Sequence, residues 1–365
     1  MAHLTTVLRN QMIFSLFLAL SACIHHPTLQ LVESTATETN TDNPDIPNAS
    51  QVWVDEFSKA QQSIDLASFY ISPSPQQDAL DLVWETLKKA SNRGVQIRIL
   101  IDKKFSEKYP EPLMELRSWK NTKVQLSDYD PGVMHAKYFV VDRRMAFIGS
   151  QNFDYRALEH IFELGFATED SMLVKQLLAI FNHDWGTPTP EFIALKRSSV
   201  ILAASPPNRL PANIPYDLPL LLDLITEAKD NLKLQFLSYN NKARSGEHWY
   251  TLDDALIAAV ERGVQVELMV SDWSTKGSKG KSLEKLRQAG VTVHVISVPE
   301  HSSGFIPFAR TIHAKYIVAD KSSCWLGTSN ASKGYFTNSR NVGLMLYKRK
   351  ECEKMAKIFS GLVQL

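Results

Sequence analysis

The feature that most restricts how this chain can fold is a stretch that occurs twice. Met134-His135-Ala136-Lys137-Tyr138-Phe139-Val140-Val141-Asp142 leads to Gly149-Ser150-Gln151-Asn152. Ile312-His313-Ala314-Lys315-Tyr316-Ile317-Val318-Ala319-Asp320 leads to Gly327-Thr328-Ser329-Asn330. Each copy reads His, any residue, Lys, four residues, Asp, six residues, then Gly, a hydroxyl residue, any residue and Asn. His135 and Asn152 both recur 178 positions later, so the internal spacing is identical.

Both copies carry aromatic and β-branched residues after the Lys, which predicts strands. On a strand, residues two apart share a face. His135 therefore points with Lys137, and His313 with Lys315. Asp142-Arg143-Arg144 and Asp320-Lys321-Ser322-Ser323 read as turns, with Met145–Ile148 and Cys324–Leu326 as return strands. At such turns Asp142 and Asp320 suit backbone capping or a nearby cation better than substrate. Lys ammonium, Asn amide and hydroxyl groups all donate to oxyanions, and an imidazole beside them can attack phosphorus or move a proton.

The repeat extends beyond the motifs. Helical spacing in Trp53–Ala60, a strand at Ile64–Tyr70, a helix at Asp78–Ala90 and a strand at Val95–Ile101 precede the first copy. Leu220–Lys229, Leu232–Tyr239, Leu252–Val260 and Val264–Val270 repeat that order before the second. Tyr70 and Tyr239, like Gly94 and Gly263, are 169 positions apart. The second copy thus carries nine extra residues before its motif, placed in Ser274–Lys281 and the loop Pro299–Pro307. The expected architecture is α/β: two pseudo-symmetric halves of mixed sheet flanked by helices, spanning residues 51–190 and 220–365, joined by a Pro-rich connector at 191–219.

This pattern resembles the phospholipase D superfamily, whose members carry two His-Lys-Asp motifs. A finer likeness, to the branch of lysosomal single-strand exonucleases and poxvirus relatives, rests on three stretches. They are Ser63–Tyr70, Asn152-Phe153-Asp154-Tyr155-Arg156-Ala157-Leu158, and Gly327–Asn330 followed by Gly334-Tyr335-Phe336-Thr337. The resemblance implies that both motifs face one cleft between the halves, so that a monomer suffices. It implies phosphodiester cleavage without metal or other cofactor. One His forms a covalent phosphohistidine, and the other acts as acid and then base. Lys137, Lys315, Asn152 and Asn330 would hold phosphoryl oxygens, assisted by Ser150, Thr328 and Ser329. Family members also place an acid after the motif. Glu163 stands 28 residues after His135, where the second copy has Asn341. This makes His135 the expected nucleophile, oriented by Glu163, with His313 as acid/base.

The formal net charge of +1 argues against broad coating of a duplex, not against a local basic cleft. Residues 1–23 read as an export signal: Arg9, a short apolar run Met12–Leu20, then Leu20-Ser21-Ala22-Cys23. That tetrapeptide looks like a bacterial lipobox, with Cys23 lipidated and the protein held at a cell-envelope membrane, the outer one if the cell has two. Residues 24–50, rich in Thr, Asn, Pro and Ser, read as a flexible tether. Cys324 and Cys352 are too few for a disulfide framework, and Cys324 reads as a buried apolar residue. Tyr70, Tyr239, Tyr335 and Phe336 fit either base stacking or packing. Three functions follow in order: a single-strand nuclease, a phospholipase acting on headgroup esters, and a membrane-tethered binding protein without turnover.

Overall fold

The computed structural model describes residues 29–74, 78–192, 199–243 and 245–365. The export signal and Cys23 lie outside the described residues. The first half runs β1 (Leu29–Ser34), α1 (Ala49–Lys59), β2 (Ser63–Ser68), α2 (Ala79–Asn92), β3 (Gln96–Asp102), α3 (Lys103–Ser106), α4 (Pro110–Ser118) and β4 (Thr122–Ser127). It continues β5 (Tyr138–Val141), β6 (Met145–Gly149), α5 (Tyr155–Glu159), β7 (Ile161–Thr168) and α6 (Ser171–Trp185). The second half runs β8 (Val200–Ser205), α7 (Asp217–Glu227), β9 (Asn231–Phe236), α8 (Thr251–Glu261), β10 (Gln265–Ser271), α9 (Gly277–Gln288) and β11 (Thr292–Ile296). It ends β12 (Thr311–Ile312), β13 (Lys315–Ala319), β14 (Ser323–Gly327), α10 (Lys333–Thr337), β15 (Asn341–Leu346) and α11 (Lys350–Leu362).

Each half is a mixed sheet with the same strand order: β4-β3-β2-β5-β6-β7-β1 in the first and β11-β10-β9-β13-β14-β15-β8 in the second. Strands on the β3 and β10 side pair in parallel, and the motif hairpins pair antiparallel. The hairpin strands are buried on both faces, which is why their sequences are continuous apolar runs rather than alternating ones. Helices α1 and α2 cover one core, around Phe57, Leu87 and Phe139. Helices α7 and α8 cover its counterpart, around Leu224, Leu256 and Trp325. The largest apolar cluster draws on both sheets, joining Tyr138, Ile148 and Phe166 to Tyr316, Leu326 and Leu344, with α6 and α11. Asp170 caps α6 by accepting from the N–H groups of Met172 and Leu173, and Gly186 ends it at φ 77°.

Four expectations are corrected. The segment 24–50 is not a tether over its described part, because Leu29–Ser34 forms edge strand β1, paired antiparallel with β7. Buried Glu33 fastens the following loop by accepting from the backbone and side-chain amides of Asn43, at 2.6 and 2.7 Å. The region 191–219 is not wholly connector, because Val200–Ser205 forms β8, the counterpart of β1, and α7 begins at Asp217. Ser34 opposes Glu163 and Ser205 opposes Asn341, so each repeat starts one strand earlier than its periodicity suggests.

The nine extra residues do not lie in Ser274–Lys281, which enters α9. Arg98 opposes Lys123 and Glu267 opposes Thr292, so the offset of 169 still holds at β11. The insertion therefore falls in the loop after β11, which carries exposed Phe305 and Phe308. Finally, Cys324 of β14 and Cys352 of α11 form a disulfide, with Cα atoms 5.5 Å apart. Packing of a C-terminal helix on a strand brings the two cysteines together, and two cysteines alone carry no such information.

The disulfide closes a loop of 28 residues, which is worth about 3.5 kcal/mol in chain entropy. Reduction with a thiol should lower the urea midpoint correspondingly, and Cys352→Ala should show the lowered midpoint with or without the thiol.

Candidate active site

Each imidazole is supplied by one half and gripped by the other. His135 donates its backbone N–H to the Arg340 carbonyl at 2.9 Å, and its Nδ1 meets Asn341 Oδ1 at 3.1 Å. His313 donates its backbone N–H to the Phe162 carbonyl at 2.8 Å, and its Nδ1 meets Glu163 Oε1 at 2.7 Å. The bridge Met134↔Arg340 and the parallel pairing of β12 with β7 carry these contacts across the interface. Both histidines sit just before the hairpin strands β5 and β13.

Glu163 is therefore not the partner of His135, as its spacing suggests, but of His313. The residue 28 positions after a motif belongs to β7 or β15, and those strands face the opposite half. Asn341, seen in the sequence only as the missing acid, is the partner of His135. An amide or carboxylate oxygen at Nδ1 accepts the N–H there, leaving Nε2 of each ring for chemistry.

Lys137 Nζ donates to the His135 carbonyl at 2.6 Å, and Lys315 Nζ donates to the His313 carbonyl. Both ammonium groups are buried, and each carries unused donors. Burial and the Lys315 charge push Lys137 well below the ordinary lysine value. Burial also pushes Lys315 down to about 7, although Glu163 opposes it. Burial, reinforced by both lysines, holds the two imidazoles well below 6.5. Burial pushes the Glu163 carboxyl up to about 8. Burial is the leading cause of every one of these shifts, and an entering anion would raise the two lysines and the two imidazoles again.

Asn152 and Asn330 are also buried, each with an unpartnered Oδ1. The hydroxyl residues make hydrogen bonds within the protein. Ser150 Oγ and Thr328 Oγ1 exchange hydrogen bonds with the backbones of Leu164 and Val342, pinning the strands that carry Glu163 and Asn341. Thr328 Oγ1 also donates to Asn341 Oδ1 at 2.9 Å. Ser329 Oγ turns to Asp217 Oδ2 at 3.4 Å. The motif aspartates are structural, as expected. Asp142 accepts from the N–H groups of Gln61, Gln62 and Ser63, at 2.7–2.9 Å. Asp320 does the same for Lys229, Asp230 and Asn231, at 2.9–3.0 Å.

Arg340 is the residue that motif spacing misses altogether. Its fully buried guanidinium binds both oxygens of Asp184, the Tyr129 hydroxyl and the Ser205 carbonyl, at 2.8–2.9 Å. It thereby ties α6 and the β4–β5 loop of one half to β8 of the other, beside Asn341. A lone Arg in a polar stretch gives no hint of this. Of the aromatics, Tyr239 is packed, with its hydroxyl on Asp253. Phe69 and Tyr335 instead stand edge-on to the His135 ring, with centroids 4.9 and 4.8 Å away. Tyr70 is half-buried and donates to Asp154 at 2.7 Å.

Two imidazoles, two ammonium groups and two amides make a site for an oxyanion rather than a cation. Among the described residues no group of three or more His, Cys, Asp or Glu is placed to hold a metal. The family model described as "Cardiolipin synthase, PLD-like domain" matches twice, over residues 53–185 and 221–363. The chain belongs to the phospholipase D superfamily. It is a phosphodiesterase of that superfamily, and each matched segment holds the strands of one half except its edge strand, β1 or β8. A curated relative, the 5'-3' exonuclease PLD3 of Macaca fascicularis, is 30% identical over 352 residues, covering 82% of this chain and 71% of that protein. Phospholipase D Z of Dictyostelium discoideum is 28% identical over 353 residues, covering 84% and 82%. The crystal structure of phosphatidylserine synthase from Haemophilus influenzae Rd KW20 has a TM-score of 0.65 at 13% identity, covering 86% of this chain and 83% of that one. That likeness concerns the fold alone.

A tetrahedral oxyanion should bind where the ammonium groups converge. Tungstate at a hundredfold excess over its Kd should raise Tm by on the order of 4 °C in thermal melts. Lys315→Met should lose most of that anion-dependent rise, whatever its own Tm.

Proposed function

We propose that this phosphodiesterase cleaves single-stranded nucleic acid through a covalent phosphohistidine, with His313 as nucleophile and His135 as acid and then base. The observation that carries the assignment is the 2.7 Å contact between Glu163 and His313, against an amide at His135. An attacking imidazole gains positive charge as its Nε2 bonds to phosphorus. A carboxylate at Nδ1–H stabilises that charge, and an amide does so far less. Conversely, a ring facing an amide holds its proton weakly and gives it up readily.

In the first step His313 Nε2 bonds to phosphorus as the P–O bond breaks. The departing oxygen takes the proton from His135 Nε2. In the second, His135 takes a proton from water as the water oxygen bonds to phosphorus and the P–N bond breaks. Lys137 and Lys315 hold the non-bridging oxygens, with Asn152 and Asn330 beside them. The expectation that His135 attacks falls with its premise, because Glu163 lies on the other ring.

The nucleic-acid substrate is supported by the likeness to the proteins named 5'-3' exonuclease. The second reading is a phospholipase, favoured by the likeness to Phospholipase D Z and by the proposed membrane anchor. Both motifs are complete, which counts against a binding protein without turnover. We further propose export and lipidation at Cys23. The Cys324–Cys352 disulfide supports an oxidising compartment. No helix among the described residues is long and apolar enough to cross a membrane.

Labelled single-stranded DNA should be cleaved in the presence of a chelator, with phosphatidylcholine left intact; the reverse selectivity favours the phospholipase. His135→Ala and His313→Ala should each lower kcat by about 10²–10⁴-fold or more. With a p-nitrophenyl ester, whose departure needs no proton, His135→Ala should accumulate alkali-stable, acid-labile label on protein. His313→Ala should accumulate none, and the opposite pattern reverses the two roles. In a bacterial host, labelled palmitate should mark the full chain and not Cys23→Ser.

A further inference from the structure

A cavity of about 140 Å³ lies between the two halves. Its rim is exposed, at Asp42 and Lys357, and its floor is buried, at Glu33 and Gln235. Phe162 and Leu164 of β7, with Ile358 and Leu362 of α11, supply apolar walls. Gln235 belongs to β9. Its neighbours Leu234 and Phe236 pack under α7 and α8, so the pleat turns Gln235 the other way, into the interface between the sheets. It is fully buried, yet neither its Nε2 nor its Oε1 has a partner among the described residues. An amide buried in that state is costly unless something pairs it.

The duplication shows that the fold itself does not require these polar groups. Ser63 opposes Gln96 and Asn231 opposes Gln265, so Ala67 is the counterpart of Gln235. Glu33 opposes Leu164 and Ala204 opposes Val342, so Ala204 is the counterpart of Glu33. Both alanines are buried in the inter-sheet cluster. An amide and a carboxyl thus face one cavity, where the pseudo-symmetric place has two methyl groups. Asn43 holds the Glu33 carboxyl at the floor, donating at 2.6 and 2.7 Å.

We propose that this cavity binds a neutral six-membered heterocycle whose edge presents an N–H donor beside an acceptor, as a pyrimidine base does. Size sets the single ring, because a cavity of about 150 Å³ takes up one benzene. The unpaired amide sets the edge. Oε1 calls for a donor and Nε2 for an acceptor, and one bidentate contact supplies both. The walls set the faces, since ordered water would pair the amide but gains nothing from Phe162, Leu164 and Leu362. Asp42 and Lys357 balance each other at the rim, and burial pushes Glu33 up to about 7, toward its neutral form. The cavity also touches the segments that carry the chemistry. Glu163 lies between Phe162 and Leu164, and Ala314, between His313 and Lys315, lines it too. A bound ring therefore bridges the halves behind the Glu163–His313 contact. None of this depends on which phosphodiester the active site takes.

The test is thermal melting of the full chain with uracil and its two ring-nitrogen methyl derivatives. 1-Methyluracil keeps the edge whose N–H stands between two carbonyl oxygens. 3-Methyluracil has the same atoms and lacks that donor. Uracil and 1-methyluracil at a tenfold excess over Kd should raise Tm by on the order of 2 °C, and 3-methyluracil should not. Gln235→Leu should lose that rise and keep the rise with tungstate, and Lys315→Met should do the reverse. Gln235→Met replaces Gln235→Leu if the branched side chain prevents folding. The proposal is overturned if neither uracil nor 1-methyluracil shifts Tm at millimolar concentration. It is also overturned if 3-methyluracil acts as well as 1-methyluracil, or if the rise survives in the Gln235 variant. A rise lost in Lys315→Met and kept in the Gln235 variant would put the ring in the catalytic pocket, which overturns it equally.

Discussion

The structure depends on a crossed arrangement in which each catalytic-type imidazole is oriented by the half that did not supply it. Asn341 holds His135, and Glu163 holds His313. Neither half contains a complete site, so the interface cannot loosen without disordering both rings. This explains why the largest apolar cluster lies between the sheets and why fully buried Arg340 stands there. Its charge is costly to bury, and Asp184 with three further acceptors, Tyr129, Ser205 and Arg209, offsets that cost. In return the guanidinium holds three separate segments around the backbone that pairs with His135.

Crossing also changes what the sequence asymmetry means. With acid and amide in the same half as the ring they served, the first motif would be the one supported by a carboxylate. Across the interface, that support passes to the second motif. Two nearly identical motifs thus acquire different ring partners, an amide and a carboxylate, from one difference in a strand that belongs to neither. The cluster of buried ammonium groups adds the other half of the design. Desolvation depresses Lys137 and Lys315, and an oxyanion between them would favour their charged forms.

Some of this was legible from residue order. The hairpins of both motifs were readable because their strands are buried on both faces and so form unbroken apolar runs. The helices α2 and α8 were readable from periodicity, and the two motif aspartates from turn chemistry. Edge strand β1 was not, and β8 only as a possible strand at Ser199–Ala203. Each is six residues long, and the first sits in a stretch whose average composition is polar. Pairing with β7 and β15 makes them strands, and pairing partners are not written in a local window. The disulfide escaped for the same reason, since Cys324 and Cys352 meet only when α11 packs beside β14.

The duplicated spacing by itself determined the two-fold architecture, the His-Lys pairs and an oxyanion-handling chemistry, because period and residue type act locally along a strand. Tertiary structure alone decided which acid serves which ring, that Ser150 and Thr328 brace strands, and which residues line the cavity between the halves. The first and last are contacts between segments more than a hundred residues apart, set by how the two sheets face each other, and the braces depend on hairpin strands meeting β7 and β15.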